Sequence, residues 1–293
     1  MIAWKCIMME KIKIAFCFDK NMIRPACVAI ASLLDSKKKD VHFEIHCICP
    51  KDCEGHRANL NEIVVARDSL SELVIHSNPL ISVKEYENRQ FTSAVYFRLK
   101  LHSILPQLDR IIYADVDLFF ARDISFLWEQ NITGLYVCGV RSKQNLRDEW
   151  MKHMRFSYWR DLDYMNMRGA YINSGVLIMN LALIREKCLD KIWNPMMQKF
   201  HKYVDQDIIN IVCGRKIGFL PQKYNRIMHN TFVDLDNMRR EGLMNRQEME
   251  EAIRYPAVLH FAGPKPWIDR GCRGAEKWWG YVNTQDDLRI LFS

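Results

Sequence analysis

Ile111-Ile112-Tyr113-Ala114-Asp115-Val116-Asp117-Leu118-Phe119-Phe120 is the stretch that decides how this chain is read. An apolar run delivers two carboxylates and turns apolar again at once, the pattern of a buried strand with acids at its carboxyl end. Two acids set among apolar residues are costly unless something compensates their charge. A divalent cation held by carboxylates is one such compensation, and it acts as a Lewis acid toward phosphate. The D-x-D spacing also occurs at Asp161, Asp205 and Asp234, so the triplet alone proves little. Only Asp115 stands between two apolar runs.

Outward from this stretch, strand-like and helix-like segments alternate. Upstream, Ile12 to Phe18 is a short apolar run ending at Asp19, and a helical pattern covers about Pro25 to Leu34. Val41 to Ile48 reads as a strand, Cys53 to Arg67 as a polar amphipathic stretch, and Leu73 to His76 as another strand. A helix is expected around Ser93 to Ile104, stopping before Pro106. This rhythm points to an α/β fold, a Rossmann-like, mostly parallel central sheet flanked by helices. Ligands in such sheets bind beyond the carboxyl ends of the strands, where Asp19 and Asp115 are expected. Downstream the pattern is more mixed. Asn173-Ser174-Gly175 reads as a turn running into an apolar strand, and Asp205 to Val212 as a helix with acids in its first turn. Asn245 with Glu248 resembles a capping box opening a helix to Ile253, and Val258 to Phe261 is a last short strand.

The 293 residues are 49% hydrophobic and 26% charged, a soluble globular composition with length for a substantial core. No Pro/Gly/Ser-rich linker divides them. The expected organisation is an N-terminal extension over 1–10, one domain over 11–267 and a small basic and aromatic extension over 268–293. A formal charge of +7 favours anionic partners, but no RNA-recognition, homeodomain or zinc-finger pattern is present, so nucleic acid is not expected. The ten cysteines form no CxxC pair, and Cys47 and Cys49 flank Ile48 so that both point to one face of a strand. Reduced, buried thiols in a cytoplasmic setting are the expectation. Met1 to Glu10 lacks the pattern of a signal peptide, and no apolar stretch is long enough for a spanning helix. The first patterned segment begins only at Lys11, which makes Met8 or Met9 a candidate start.

His260 closes a further apolar run, Ala257-Val258-Leu259. A neutral imidazole there would complete an Asp/Asp/His site suited to Mn²⁺ or Mg²⁺, although a lone histidine after an apolar run is more often a hydrogen-bonded structural residue. An ordered set of motifs now stands out: Phe16-Cys17-Phe18-Asp19-Lys20-Asn21, Arg98-Leu99-Lys100, Tyr113-Ala114-Asp115-Val116-Asp117, Asn173-Ser174-Gly175-Val176, Asp205-Gln206-Asp207 and His260-Phe261-Ala262-Gly263. The set resembles family 8 of the glycosyltransferases, the retaining GT-A enzymes that include bacterial lipopolysaccharide galactosyl- and glucosyltransferases and, more distantly, glycogenin. It runs from about Lys11 to Tyr281, and the order of the motifs carries it rather than any one of them.

The resemblance implies a UDP-hexose donor, a glycan or lipid-linked oligosaccharide acceptor and a divalent ion, Mn²⁺ or Mg²⁺. Asp19 and Asn21 would meet the uracil and ribose side of UDP, with Cys17 supplying backbone contacts. Arg98 would contact donor sugar and phosphate, while Asp115 and Asp117, with Val116 between them, would bind metal together with His260. Asn173 would touch the sugar and Asp205 its hydroxyls, Gln206 would lie on the face of the anomeric carbon opposite UDP, and Gly263 and Lys265 would hold the diphosphate. The family pattern often carries one more residue before Lys-Pro-Trp, whereas Gly263-Pro264 runs directly into Lys265-Pro266-Trp267. Each residue also has a plainer reading: Asp19 and Asn21 as a strand-to-helix turn, Arg98 as a surface helix residue, Asp205 as an N-cap, Asp207 as a first-turn charge and Lys265 as a solvated loop cation. Rival functions are a catalytically silent nucleotide-sugar binder of the same fold and a self-glucosylating enzyme like glycogenin. Beyond Trp267, the cations Arg270, Arg273 and Lys277 among Trp278, Trp279 and Tyr281 suit peripheral contact with an anionic membrane at its cytoplasmic face, or else the rings pack back onto the domain.

Overall fold

The structure, a computed structural model, describes residues 10–77, 93–142, 170–198 and 203–292. Ten strands are found among them: β1 (Ile12–Cys17), β2 (Phe43–Cys49), β3 (Glu72–Ser77), β4 (Arg110–Ala114), β5 (Leu118–Phe120), β6 (Val137–Arg141), β7 (Ile172–Asn180), β8 (Ile217–Leu220), β9 (Arg226–Ile227) and β10 (Val258–His260). Seven form one sheet in the order β3-β2-β1-β4-β7-β6-β8. Strands β3, β2, β1 and β4 run parallel, β7 is antiparallel to both β4 and β6, and β8 is parallel to β6. The expected mostly parallel sheet is therefore present. The near-continuous apolar runs of β1 and β4 follow from burial on both faces. Ile14 and Phe16 pack into one core with the helix Ile23–Ser36, while Ala15, Cys17, Ile111 and Tyr113 pack into the other. Cys47 and Cys49 share the first core, Ile48 lies in the second, and neither cysteine forms a disulfide.

Register decides where the acids emerge. Phe16 lies opposite Ala114, so Asp19 and Asp115 leave the sheet from adjacent strand ends. The chain then enters β5, which belongs to a second sheet ordered β5-β10-β9. Because β10 is antiparallel to β5, with His260 opposite Leu118, and Phe261 N–H donates to Asp117 O at 3.0 Å, His260 is returned beside Asp117 across more than a hundred residues of sequence.

Three local expectations are corrected. Asn173-Ser174-Gly175 is not a turn but the start of β7, distorted by a bulge. β6 pairs Gly139 with Leu177 and then Val140 with Asn173, leaving Ser174, Gly175 and Val176 without partners on that side. The bulge is held on the other side by Asp115 N–H donating to Gly175 O at 2.9 Å, and internally by Gly175 N–H donating to Asn173 Oδ1 at 2.9 Å. Ser93 to Ile104 is largely 3₁₀-helical, with α-helix only over Leu101–Ile104. At Asn245 half of the capping box forms: Asn245 caps Glu248 N, but the Glu248 carboxylate turns away to accept from Gln222 N–H at 3.0 Å. A full capping box instead joins Thr231 and Asp234 and opens the helix Phe232–Arg240, which accounts structurally for that D-x-D occurrence. Asp161 and residues 1–9, including Met8 and Met9, lie outside the described residues.

The C-terminal segment packs against the sheet-and-helix body. Trp278, Val282 and Leu288 join the first core, and Trp278 lies within 5.7 Å of the Trp267 ring and 5.1 Å of Phe292. Tyr281 Oη donates to Asp35 at 2.6 Å, and Arg67 pairs with Asp287 at 2.7 Å. Among the described residues, no helix is long and apolar enough to cross a membrane.

Candidate functional site

The two carboxylates and the imidazole converge. Asp115, Asp117 and His260 each present one ligand atom, all within 4.8 Å of one another. His260 Nε2 stands 3.3 Å from Asp117 Oδ1 and 3.9 Å from Asp115 Oδ2. Asp117 Oδ1 is buried without a hydrogen-bond partner, although burial of such an atom ordinarily demands one. The other face of the ring is fixed by a 2.7 Å contact between His260 Nδ1 and Asn225 Oδ1. Two carboxylates, a histidine anchored at its far nitrogen and an orphaned oxygen between them form a donor set that fits a hard or borderline divalent cation. Lys265 Nζ pairs with Asp117 Oδ2 and donates to Phe261 O at 2.6 Å, so it is not a solvated loop cation. Burial would raise the pKa of Asp117, but Lys265 and His260 beside it hold the carboxyl well below the usual range.

Arg98 organises the acids from behind. It is 5% exposed, which corrects its reading as a surface helix residue. Its Nη2 meets Asp115 Oδ1 at 2.8 Å and its Nε meets Asp205 Oδ2 at 3.1 Å, while Nη1 donates to Ser174 O at 2.9 Å. The guanidinium also lies 4.3 Å from the centre of the Tyr113 ring, whose hydroxyl donates to Asp115 Oδ1 at 2.5 Å. A planar fork suits this bridging of two carboxylates. Burial raises the Asp205 pKa to about 6, with Asp115 adding to the rise and Arg98 opposing it. Asp205 is not the N-cap of its helix, Val204–Cys213, whose cap position is Tyr203. Asp207 accepts from Tyr203 N–H at 3.0 Å, so its first-turn role does exist.

Gln206 is held on both ends of its amide. Its Oε1 accepts from Asn173 Nδ2 at 2.9 Å and from Ser174 N–H at 3.1 Å, and its Nε2 donates to Tyr171 Oη at 2.9 Å. Tyr171 in turn donates to Asp207 Oδ1 at 2.6 Å. At the adjacent strand end, Asp19 Oδ1 accepts from Asn21 N–H at 2.8 Å, the strand-to-helix turn that composition suggested. Asn21 is exposed, Cys17 is buried with its thiol pKa pushed up by burial, and Val116 sits in the first core. Gly263 closes on His229: a Cβ there would stand 2.9 Å from His229 Nδ1. The residues that the resemblance implies for donor and metal thus lie at or beside the carboxyl ends of β1, β4 and β10 or on the facing β7 bulge and helix.

Sequence reasoning missed Asn225, Tyr171, Tyr113 and Ser174. Asn225 is 1% exposed and follows a short 3₁₀ segment with no motif around it. Tyr113 and Ser174 stand inside the quoted motifs, where an apolar strand and a turn account for them without their hydroxyls. For Tyr171, the available signal was a hydroxyl entering a strand two residues before Asn173.

The family model described as "Glycosyl transferase family 8" matches residues 13–271. A relative from Haemophilus influenzae is 27% identical over 184 residues, 61% of this chain and 50% of that one. The lipopolysaccharide 1,3-galactosyltransferase of Salmonella typhimurium is 24% identical over 271 residues, 89% of this chain and 74% of its own. Thus this chain spans half the length of the first relative and about three-quarters of the second. Among solved structures, galactosyltransferase LgtC, crystallised with donor and acceptor sugar analogs, superposes with a TM-score of 0.71 at 21% identity, over 94% of this chain and 96% of that one. That likeness establishes the GT-A fold.

Proposed function

The chain belongs to glycosyl transferase family 8, and from that premise we propose that it transfers a hexose, galactose or glucose, from a UDP-sugar to a glycan acceptor with retention of anomeric configuration. The acceptor in this reading is lipopolysaccharide or another lipid-linked oligosaccharide, by likeness to the Salmonella relative. The observation that carries the proposal is the convergence of Asp115, Asp117 and His260 around the unpartnered Asp117 Oδ1.

Asp115, Asp117 and His260 would hold Mn²⁺ or Mg²⁺. When bound, the ion supplies Lewis-acid stabilisation of the charge that builds on the departing UDP diphosphate. The remaining work falls to the chain itself. Asp19 and Asn21, beside the backbone of Cys17, would receive the nucleoside, and Gly263 and Lys265 the diphosphate; Lys265 would exchange its Asp117 contact for phosphate oxygen. Val116 would contribute backbone only, since its side chain is in the core. Arg98 would orient Asp115 and Asp205 toward the donor while meeting the sugar and phosphate at its edge. Asp205 and Asn173 would bind sugar hydroxyls.

Retaining glycosidases place a free carboxylate opposite the leaving group. Here Gln206 Oε1 already accepts two hydrogen bonds and Asp205 is held by Arg98 and Ser174. That supports substitution from the face UDP leaves over a covalent intermediate. Work at the cytoplasmic membrane face, through Arg270, Arg273 and Lys277, completes the proposal. The test is UDP release from UDP-galactose and UDP-glucose with Mn²⁺, followed by product NMR. Activity abolished by EDTA and an α-linked product from an α-linked donor are expected. An unchanged rate in EDTA would remove the metal, and a β-linked product would remove retention.

A further inference from the structure

The hydrogen bonds around the site form one directed chain, and its direction can be read without choosing any amide orientation. Two backbone groups set it. Ser174 N–H donates to Gln206 at 3.1 Å and Gly175 N–H donates to Asn173 at 2.9 Å, so each of those side chains must present its carbonyl oxygen there. With Asn173 Oδ1 fixed as an acceptor, Asn225 must turn its NH₂ toward it, at 2.8 Å. The Asn225 oxygen is then what faces His260 Nδ1 at 2.7 Å, and Nδ1 has to carry a proton. The other end agrees: the Asp207 carboxylate can only accept, so Tyr171 donates to it and receives from Gln206 Nε2. All the links are buried: Asn225 is 1% exposed, Tyr171 and Asp207 are closed to solvent, and Asn173 and Gln206 are 7% and 6% exposed.

We propose that Asn225 is a positioning residue that places the His260 proton on Nδ1, keeping Nε2 for the cation, and that the β7 bulge imposes this choice through Asn173. The inference rests on the metal reading given above. A neutral imidazole offers one nitrogen to a metal, and the hydrogen bond at the other nitrogen decides which one. The bulge has a second hand in the placement. A Cβ at Gly175 would stand 2.8 Å from His260 Nδ1 and 3.0 Å from Asn173 Oδ1, so the ring lies against bare backbone. Two of the three residues that fail to pair with β6, Ser174 and Gly175, therefore orient Gln206 and, through Asn173, select the tautomer of His260, which couples the two halves of the site.

The test compares Asn225→Leu, which keeps the size but removes the acceptor, with Asn225→Asp, which keeps it. Protein labelled with ¹⁵N-histidine reports the protonated ring nitrogen of His260 in the metal-free state, and Mn²⁺ affinity is measured by electron paramagnetic resonance on the same samples. The wild type is expected to show a protonated Nδ1. Asn225→Leu should lose that preference and bind Mn²⁺ about 10–100-fold more weakly, the usual effect of removing such a partner. Asn225→Asp keeps the acceptor for Nδ1 but gives up the donation to Asn173 Oδ1, so it should retain the Nδ1 proton and bind Mn²⁺ more tightly than Asn225→Leu, an order that a role in folding alone does not predict. A wild-type proton on Nε2, or Asn225→Leu binding Mn²⁺ as tightly as the wild type, overturns the proposal. Absence of Mn²⁺ binding by the wild type with Nδ1 protonated instead overturns the metal reading and leaves the tautomer assignment standing.

Discussion

Replacing Gly175 by alanine tests the site through one methyl group. The backbone of Gly175 lies outside the left-handed region, so alanine introduces no conformational strain and the whole effect is steric. The new Cβ would meet His260 Nδ1 at 2.8 Å, and Cε1 closer still, where ordinary contact begins near 3.4 Å. The ring has little room to yield, since Nδ1 is tied to Asn225 and His260 is paired in β10 with β5 and β9. Either the ring retreats by roughly 1 Å or β7 shifts away from β4, and a displacement of that size beside the chemistry costs on the order of 100-fold in rate. Steady-state UDP release with saturating Mn²⁺ should therefore show kcat/KM down about 100-fold, or about 2.7 kcal/mol of lost transition-state stabilisation. Overpacking should also lower stability by about 1–3 kcal/mol in a denaturant titration. The paired control is Gly280→Ala, where no atom lies within 4 Å and the helix interior favours alanine by about 0.5–1 kcal/mol. A Gly175→Ala protein with wild-type kinetics and Mn²⁺ affinity would refute the claim that His260 is packed against bare backbone.

Asp205→Asn should change the pH dependence of stability in one window. The folded pKa of Asp205 is about 6 against an ordinary 3.8, so between those values the folded protein holds a proton that the unfolded chain has released. That group stabilises the fold progressively as pH falls from about 6 toward 4, and the rise corresponds to about 3 kcal/mol. Denaturant midpoints for Asp205→Asn, compared with wild type at pH 7 and pH 4, should favour the variant at pH 7 by about that much more; parallel pH profiles would contradict it. At the C-terminal segment, the exposed Arg270, Arg273 and Lys277 should bind anionic vesicles at low salt, each contributing about 1 kcal/mol. Reversing all three charges should abolish sedimentation with the vesicles, whereas Trp278→Ala should cost about 3–5 kcal/mol of stability because Trp278 is a core residue. Sedimentation unchanged by charge reversal would remove the membrane contact.

The contrast at Trp278 shows how far sequence reading reaches. Trp278, Trp279 and Tyr281 satisfy an interfacial pattern and a packing pattern equally, because both ask only for amphipathic rings near cations. The structure buries Trp278 among Trp267 and Phe292 and ties Tyr281 to Asp35, a residue 246 positions away. Arg98 is a like case. One cation in an amphipathic stretch reads as surface, and only the meeting of β4, β7 and the helix Val204–Cys213 surrounds it with Asp115, Asp205 and Ser174.

Local patterning by itself determined the strands ending at Asp19 and Asp115, the parallel character of the sheet and the acids at its carboxyl edge, because burial on both faces leaves a continuous apolar signature whatever the partner strands are. The ordered motifs added the family and, through the resemblance, the roles expected of His260, Gln206 and Lys265. The tertiary structure alone decided that Asn173-Ser174-Gly175 is a bulge rather than a turn. The two share a composition and differ only in whether neighbouring strands take up the backbone hydrogen bonds. It alone decided, too, that Asn225 stands behind His260. A hydrogen bond between buried side chains 35 residues apart is set by the register of β9 against β10 and leaves no periodicity in the chain.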